Sequence, residues 1–477
     1  MKSFPLIGEH VRDLRKIVLF SEREFYSYED ILKDAEYLAN MLGNRKLVAV
    51  IAENDVCLIS SLFSILESDN ILMLLDSKMP EKKFKNIFDR YLPDFVVARN
   101  DQISDRRYSP FTKLEELTIF SGNLRSNQEI GNKECAMLIP TSGSTGNPRF
   151  VRISYENLRA QARSICQYLE ISAGTRTITT LPPHYSFGFS ILNSYLWASA
   201  EIFVSEATPF FKGYWDLLRK MRISSISGVP YSFEIWKRTG FLNEDLPALR
   251  TLTQAGGRFS GVARDDFIES CEKRNRKLFL MYGQTEATAR ISFLPPDYLV
   301  QKRDSIGIPI PGGKLEIMDE EHKPVSEPNT PGQIVYMGPN VSLGYADKRS
   351  DLELPDCFNG TLKTGDIGYR DSDGFFYISG RTKRIAKIFG YRINLDDIEE
   401  FLTSLEIEAA CISNDEHLVI ALTDTANIEE IKNSLAIEFS FPANIFKFCS
   451  ISNIPRLSNG KVDYSSLLLN LERSKDD

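Results

Sequence analysis

A chain of 477 residues, 42% hydrophobic and 26% charged, holds enough apolar material for a sizeable core, which excludes a small peptide scaffold and a disordered chain. At about 150 residues per domain the length corresponds to about three domains, or to one large unit with a smaller appendage. Lys and Arg total 57 against 65 Asp and Glu, a formal charge of -8 that repels a polyphosphate backbone, so no nucleic-acid partner is expected, although a local basic site for a small anion stays open.

From Tyr28 to Tyr282, helix-period and strand-period segments alternate, the pattern of crossover connections and a largely parallel sheet. Tyr28 to Gly43 puts Ile31, Ala35, Leu38 and Leu42 on one stripe and stops at a glycine, and Leu47 to Ala52 follows as a buried strand. Pro80 opens a helix carrying Phe84, Ile87 and Phe88, and Phe95 to Ala98 follows as a strand. Ser154 caps a helix to about Leu169, with Thr177 to Leu181 after it. Further strands are expected at Ile202 to Ser205, Ser225 to Gly228, Leu249 to Thr253 and Lys277 to Met281. After Gly283, Gly and Pro become frequent and the apolar runs turn short and hairpin-like, predicting a β-rich subdomain over about 290–380. A charged stretch from Gly380 to Lys387 precedes a last segment with a helix near Leu395 to Leu405, a strand near Leu418 to Thr423 and a helix near Ile428 to Phe439. The expected fold class is α/β: a large N-terminal domain, 1–382, with mostly parallel sheets and the β-rich subdomain, followed by a small α+β domain, 383–477.

Seven scattered cysteines without a CxxC pair fit a reducing cytoplasm better than a disulfide framework. Four histidines without HExxH spacing exclude histidine-rich metal chemistry. The N-terminus lacks a signal-peptide pattern, and the longest apolar stretch, Val56 to Leu66, is too short for a membrane span.

Four segments carry chemistry. Thr141-Ser142-Gly143-Ser144-Thr145-Gly146-Asn147-Pro148-Arg149 follows the apolar run Ala136 to Ile139; small residues admit close backbone approach to an anion, hydroxyls add donors and Arg149 adds charge. It reads as a phosphate cradle or as an ordinary Gly/Ser turn, and its glycine spacing is not that of a P-loop. Met281-Tyr282-Gly283-Gln284-Thr285-Glu286-Ala287 ends a strand where open α/β sheets hold ligands, and a carboxylate beside a polyphosphate implies an intervening Mg²⁺, unless Glu286 merely complements a helix start. Lys363-Thr364-Gly365-Asp366 offers a carboxylate for a ribose diol or a surface turn, ahead of an Asp373-Gly374 hairpin turn. Ser458-Asn459-Gly460-Lys461 is a tight turn presenting a lysine, which on its own reads as a solvated loop.

Taken together and in order, these segments resemble the adenylate-forming superfamily: acyl- and aryl-CoA synthetases, luciferase-like enzymes and the adenylation domains of nonribosomal peptide synthesis. The resemblance extends to Gly332-Gln333-Ile334 through Gly344-Tyr345 and to Gly380-Arg381 through Arg392. It implies that Thr141, Ser142, Ser144, Thr145 and Thr285 contact ATP phosphates within a loop that includes Gly143, Gly146 and Arg149. It further implies that Glu286 holds Mg²⁺, that Gly256, Gly257 and Tyr282 line the adenine slot, with Gly283 also on the cofactor side, and that Asp366 and Arg381 bind the ribose. Lys461, on a mobile C-terminal lid, reaches the carboxylate and α-phosphate, and rotation at the hinge residue Lys383 exchanges it for the Phe389-Gly390-Tyr391 loop beside a pantetheine tunnel. Arg149 departs from the family's usual lysine, keeping the charge with a planar fork.

Relatives that activate α-amino acids carry an aspartate near the start of the pocket helix, where this chain has Gly188, so an acid without an α-amino group is favoured. His184 and Phe187 resemble gate residues, and Val229, Pro230 and Phe233 are candidates for the acyl pocket. The expected activity is ATP-dependent adenylation of a carboxylic acid, then thioester formation on CoA or on the phosphopantetheine of a carrier protein acting in trans. The alternatives are an amino-acid adenylating enzyme that loads a separate carrier and, from a different class, a nonenzymatic nucleotide-binding scaffold.

Overall fold

The computed structural model describes residues 6, 11–99, 103, 105–123, 129–141, 149–381, 384–388, 391–413, 417–423, 427–439, 442–457 and 460–473. Two large mixed sheets dominate. In the first, the strands Ile17–Phe20, Glu201–Phe203, Arg176–Ile178, Ser225–Gly228, Thr251–Gln254 and Lys277–Tyr282 run parallel, and antiparallel strands flank them at both edges. In the second, Cys135–Pro140, Ile71–Asp76, Leu47–Ala52 and Phe95–Arg99 form the parallel centre, again between antiparallel strands. The parallel core follows the alternation of segments in the chain; the antiparallel edges, including Tyr108–Leu114, Leu117–Gly122 and Phe150–Ser154, were not expected.

Side-chain alternation along the strands assigns the layers. Val48 and Val50 pack into one core with Val18, Leu19 and the helices Tyr28–Leu42, Val56–Glu67, Tyr155–Leu169 and Ser186–Trp197, so these helices join the two sheets. Leu47, Ala49 and Ile51 face the other way onto Ile87 and Phe88 of the helix Glu81–Tyr91. The helix Val56–Glu67, the longest apolar stretch of the chain, is buried on every face, which is why it carries no polar side. Capping boxes begin two of the central helices: Ser27 with Asp30, and Ser154 with Asn157.

The β-rich region is a four-stranded antiparallel sheet built from Lys314–Met318, Gly332–Met337, Thr361–Arg370 and Phe376–Arg381, with the Asp373-Gly374 turn at its last hairpin. The C-terminal unit has a three-stranded sheet, Ala409–Ser413, Leu418–Leu422 and Phe446–Ser450, with the helices Leu395–Ser404, Ile428–Phe439 and Tyr464–Arg473. It has its own apolar core, around Ile398, Leu402, Ile420 and Leu435. No helix among the described residues is long and apolar enough to cross a membrane.

Candidate active site

The chemistry-bearing segments gather where the parallel strands end. Thr141 and Arg149 close the mouth of the glycine- and hydroxyl-rich loop: the Thr141 N–H donates to the Arg149 carbonyl at 2.8 Å and its hydroxyl does so at 3.2 Å. Residues 142–148, and with them Ser142, Gly143, Ser144, Thr145 and Gly146, lie outside the described residues. The Arg149 guanidinium stacks 4.1 Å above the Tyr345 ring and pairs with Asp347 at 3.2 Å. Part of its charge is therefore already matched, which the sequence did not show.

Tyr345 links this loop to the second motif, donating from its hydroxyl to Glu286 Oε1 at 2.7 Å. Register explains the meeting: Tyr345 pairs with Val151 across an antiparallel bridge, directly beyond the loop. Burial and the neighbouring Glu286 push the Tyr345 phenol above its ordinary value, so it stays a donor. The Thr285 hydroxyl lies 3.1 Å from that of Ser186, at the start of the helix Ser186–Trp197. Gly283 has no room for a side chain, because a Cβ would strike the Ala289 carbonyl.

The Asp366 carboxylate is 1% exposed and accepts from the Tyr282 hydroxyl and from Gln284 Nε2 at 2.9 Å. Gln284 also donates to the Thr364 carbonyl at 2.9 Å, tying the strand end Tyr282 to the β-rich sheet. Arg381 stands opposite Asp366 in the strand register, and its side chain lies outside the described residues. The adenine- and ribose-side candidates are thus neighbours through Gln284.

Gly256 has φ +89, and a Cβ there would meet the Tyr185 hydroxyl and, at 3.1 Å, Val229 Cγ1. Gly257 follows, against Pro230. The turn that presents Lys461 packs on the same spot: a Cβ at Gly460 would lie 3.3 Å from Tyr231 and 3.5 Å from Val229 Cγ2. Lys461 itself is half-buried, and its carbonyl accepts from the Leu457 N–H at 2.8 Å. Two further contacts hold the C-terminal unit here: Arg456 lies 5.5 Å over the Tyr231 ring, and Arg258, just past Gly257, pairs with Glu400. Lys383 and Gly390 lie outside the described residues.

His184 sits 3.6 Å from Asp76, at the end of the strand Ile71–Asp76, and burial lowers its pKa, so at neutral pH it contributes shape and hydrogen bonding, not positive charge. Phe233 is fully buried against Trp236, Phe259 and Phe267 in the core on the far face of the first sheet, so it is packing and not pocket lining. At Gly188 a Cβ would run into the Pro182 carbonyl oxygen. Gly188→Asp is therefore expected to lower stability by about 3 kcal/mol or more without conferring amino-acid activation. Thermal denaturation read beside amino-acid-dependent pyrophosphate exchange checks this, and a stable, amino-acid-activating variant would refute it.

Among the described residues no three His, Cys, Asp or Glu side chains come together as a metal cage. Glu286, with Oε1 engaged by Tyr345, offers a single carboxylate, a donor set that suits an Mg²⁺ completed by phosphate oxygens and water. Residue patterns did not single out Tyr345, Gln284, Ser186 and Tyr185 for roles, although all four lie inside or beside quoted motifs. The signal for Tyr345 was its place at the end of the hairpin motif.

The profile of the AMP-binding enzyme family matches residues 10–346. A 2-succinylbenzoate–CoA ligase of Bacillus cytotoxicus is 27% identical over 396 residues, covering 81% of this chain and 79% of that protein. The o-succinylbenzoate CoA synthetase of Bacillus subtilis, in complex with its acyl-adenylate intermediate, superimposes with a TM-score of 0.75 at 20% identity over 95% of each chain. ATP-bound MatB from Rhodopseudomonas palustris gives a TM-score of 0.75 at 19% identity over 96% of each chain.

Proposed function

This chain belongs to the AMP-binding enzyme family, and from that premise we propose how its residues carry out the family's reaction. The protein is an AMP-forming acid–thiol ligase: ATP and a carboxylate give an acyl-adenylate and pyrophosphate, and a thiol then displaces AMP to leave a thioester. The acid we assign is an aryl carboxylic acid of the 2-succinylbenzoate kind and the thiol is CoA, as in the relatives' names. A carrier-protein pantetheine is the second acceptor to test.

The observation that carries the residue assignment is the packing of the Gly460-Lys461 turn on Val229 and Tyr231, next to Gly256. That packing sets the backbone that carries Lys461 beside Gly256 and supports the reading that its charge acts where two anions must meet and charge grows on the α-phosphate oxygens. In this reading Thr141, Thr285 and the 142–148 loop hold the phosphates, Arg149 adds charge beside them, and Asp366 receives the ribose. Glu286 holds Mg²⁺, which when bound neutralises phosphate charge, and Tyr345 keeps that carboxylate oriented. Lys383 is the hinge between residues 1–382 and 383–477, and rotation there withdraws Lys461 and brings in the Gly390 loop for the thiol step. Arg384, next to it, is anchored to the C-terminal unit by Asp396 at 2.7 Å, Glu399 at 2.8 Å and the Tyr464 ring at 4.1 Å, so the segment after the hinge turns with that unit.

Seven unpaired cysteines support a reducing, cytoplasmic location. The amino-acid alternative lacks a counter-ion at Gly188, where no side chain fits. The test is acid-dependent ATP–pyrophosphate exchange, with thioester detection on added CoA, across 2-succinylbenzoate, benzoate, fatty acids and amino acids. Exchange and CoA thioester with the aryl acid support the reading. Exchange with amino acids alone, or nucleotide binding without turnover on any acid, overturns it.

A further inference from the structure

The turn that carries Lys461 is closed by backbone hydrogen bonds at its base. The Leu457 N–H donates to the Lys461 carbonyl, the Gly460 N–H to the Leu457 carbonyl and the Asp463 N–H to the Pro455 carbonyl, each at 2.8 Å. Arg456 also pairs with Val462 across an isolated antiparallel bridge. None of the three bonds uses the Gly460 carbonyl, which belongs to the peptide unit leading into Lys461. Gly460 has φ +81, and a glycine there tolerates more than one orientation of the peptide that follows it. That orientation sets the direction in which the Lys461 side chain leaves the turn.

One side chain holds that carbonyl. Arg456 Nη1 donates to it at 3.0 Å, while Nη2 pairs at 2.8 Å with Glu408, which stands just before the strand Ala409–Ser413. The same guanidinium lies 5.5 Å from the centroid of the Tyr231 ring, within the range of a cation–π contact. Tyr231 belongs to the large unit: it lies in the first turn of the helix Pro230–Arg238, which follows the parallel strand Ser225–Gly228. Arg456 therefore joins the turn, the body of its own unit and the rim of the cleft. Arg456, Glu408 and Tyr231 are all partly exposed, and contacts of this kind add little to folding. Their consequence is where the turn points.

We propose that Arg456 is a positioning residue of the first half-reaction: it fixes the peptide from which Lys461 projects, and Tyr231 is the seat that completes this fixing when the C-terminal unit is docked. The inference rests on the role assigned to Lys461 and goes beyond it by naming what places that charge. The planar fork suits the task, because it can hold the Gly460 carbonyl and the Glu408 carboxylate in one fixed geometry while lying over a ring; an ammonium offers no such fixed fork. When the unit turns away, the ring stays behind and the arginine keeps only the contacts within its own unit. Lys461 is thus held most firmly in the pose in which the α-phosphate is attacked.

The experiment uses the full-length protein and the most active acid of the panel given above, and measures pyrophosphate exchange and, separately, single-turnover thioester formation from the supplied acyl-adenylate and CoA. Arg456→Ala should lower kcat for exchange about tenfold, leave KM for ATP and for the acid within about twofold, and spare the thioester step, as expected of a charge that is present but misplaced. Arg456→Lys restores part of the loss. Tyr231→Leu should lower exchange about threefold and Tyr231→Phe should keep it; Tyr231→Leu added to Arg456→Ala costs nothing further, because both act through one contact. Glu400→Ala breaks a second ion pair between the units without touching the turn, and should change exchange by less than about twofold. Equal loss of both half-reactions in Arg456→Ala, additive losses in the double variant, or the same loss in Glu400→Ala as in Arg456→Ala overturns the proposal and leaves Lys461 in its role. If Arg456→Ala folds poorly, Tyr231→Leu, placed in the other unit, carries the same comparison of half-reactions. No exchange on any acid, or undiminished exchange in Lys461→Ala, overturns the reading on which the proposal rests.

Discussion

Lys461→Ala is expected to lower acid-dependent pyrophosphate exchange by about 10²–10³-fold, the usual effect of removing one preorganised charge from a site where anionic charge develops. Thioester formation from a supplied acyl-adenylate and CoA should survive, because that step starts once the attack on the α-phosphorus, the step that needs the lysine, is complete. The split follows from where Lys461 is held. Its turn rests on Val229 and Tyr231 at the cleft, but it belongs to a unit with its own core, joined to the large unit through contacts such as Arg258 with Glu400 and Arg456 over Tyr231. Half-exposed ion pairs of this kind contribute little, so the unit can leave without large loss. Single-turnover assays of the two half-reactions provide the check, and parallel loss of both would falsify the two-position arrangement.

Legibility followed the range of the interactions. The helix Tyr28–Leu42 announced itself through a 3.6-residue stripe that stops at Gly43, and Tyr155–Leu169 through its Ser154 cap, and both formed; the Ser27 cap of the first was not read from the sequence. The strands Tyr108–Leu114 and Leu117–Gly122 did not announce themselves. The first buries only its two ends, so it shows neither alternation nor an apolar run. Phe233 was misjudged because an aromatic at a helix start looks the same whether it faces a cleft or the core; only the surrounding rings Trp236, Phe259 and Phe267 decide. At the site, single motifs were visible as clusters of glycine, hydroxyl and carboxylate. What joins them was not: Tyr345 meets Glu286 across 59 residues, and Gln284 meets Asp366 across 82.

The joining residues make the metal role of Glu286 testable. Glu286→Gln keeps the side chain's size and its acceptor for the Tyr345 hydroxyl, removing only the negative charge. On the proposed role of Glu286, that charge helps to hold Mg²⁺, so the Mg²⁺ midpoint for exchange should rise about 100-fold. Tyr345→Phe leaves the charge and removes its tether, and should raise the midpoint about tenfold. Tyr345 also lies beneath Arg149, so its loss frees that guanidinium as well; the double variant Glu286→Gln/Tyr345→Phe separates the two effects. If the tyrosine acts through the carboxylate, the double variant matches Glu286→Gln in its Mg²⁺ titration. If it acts through Arg149, the double variant is further impaired at saturating Mg²⁺. An unchanged titration in Glu286→Gln removes the carboxylate from the metal site altogether.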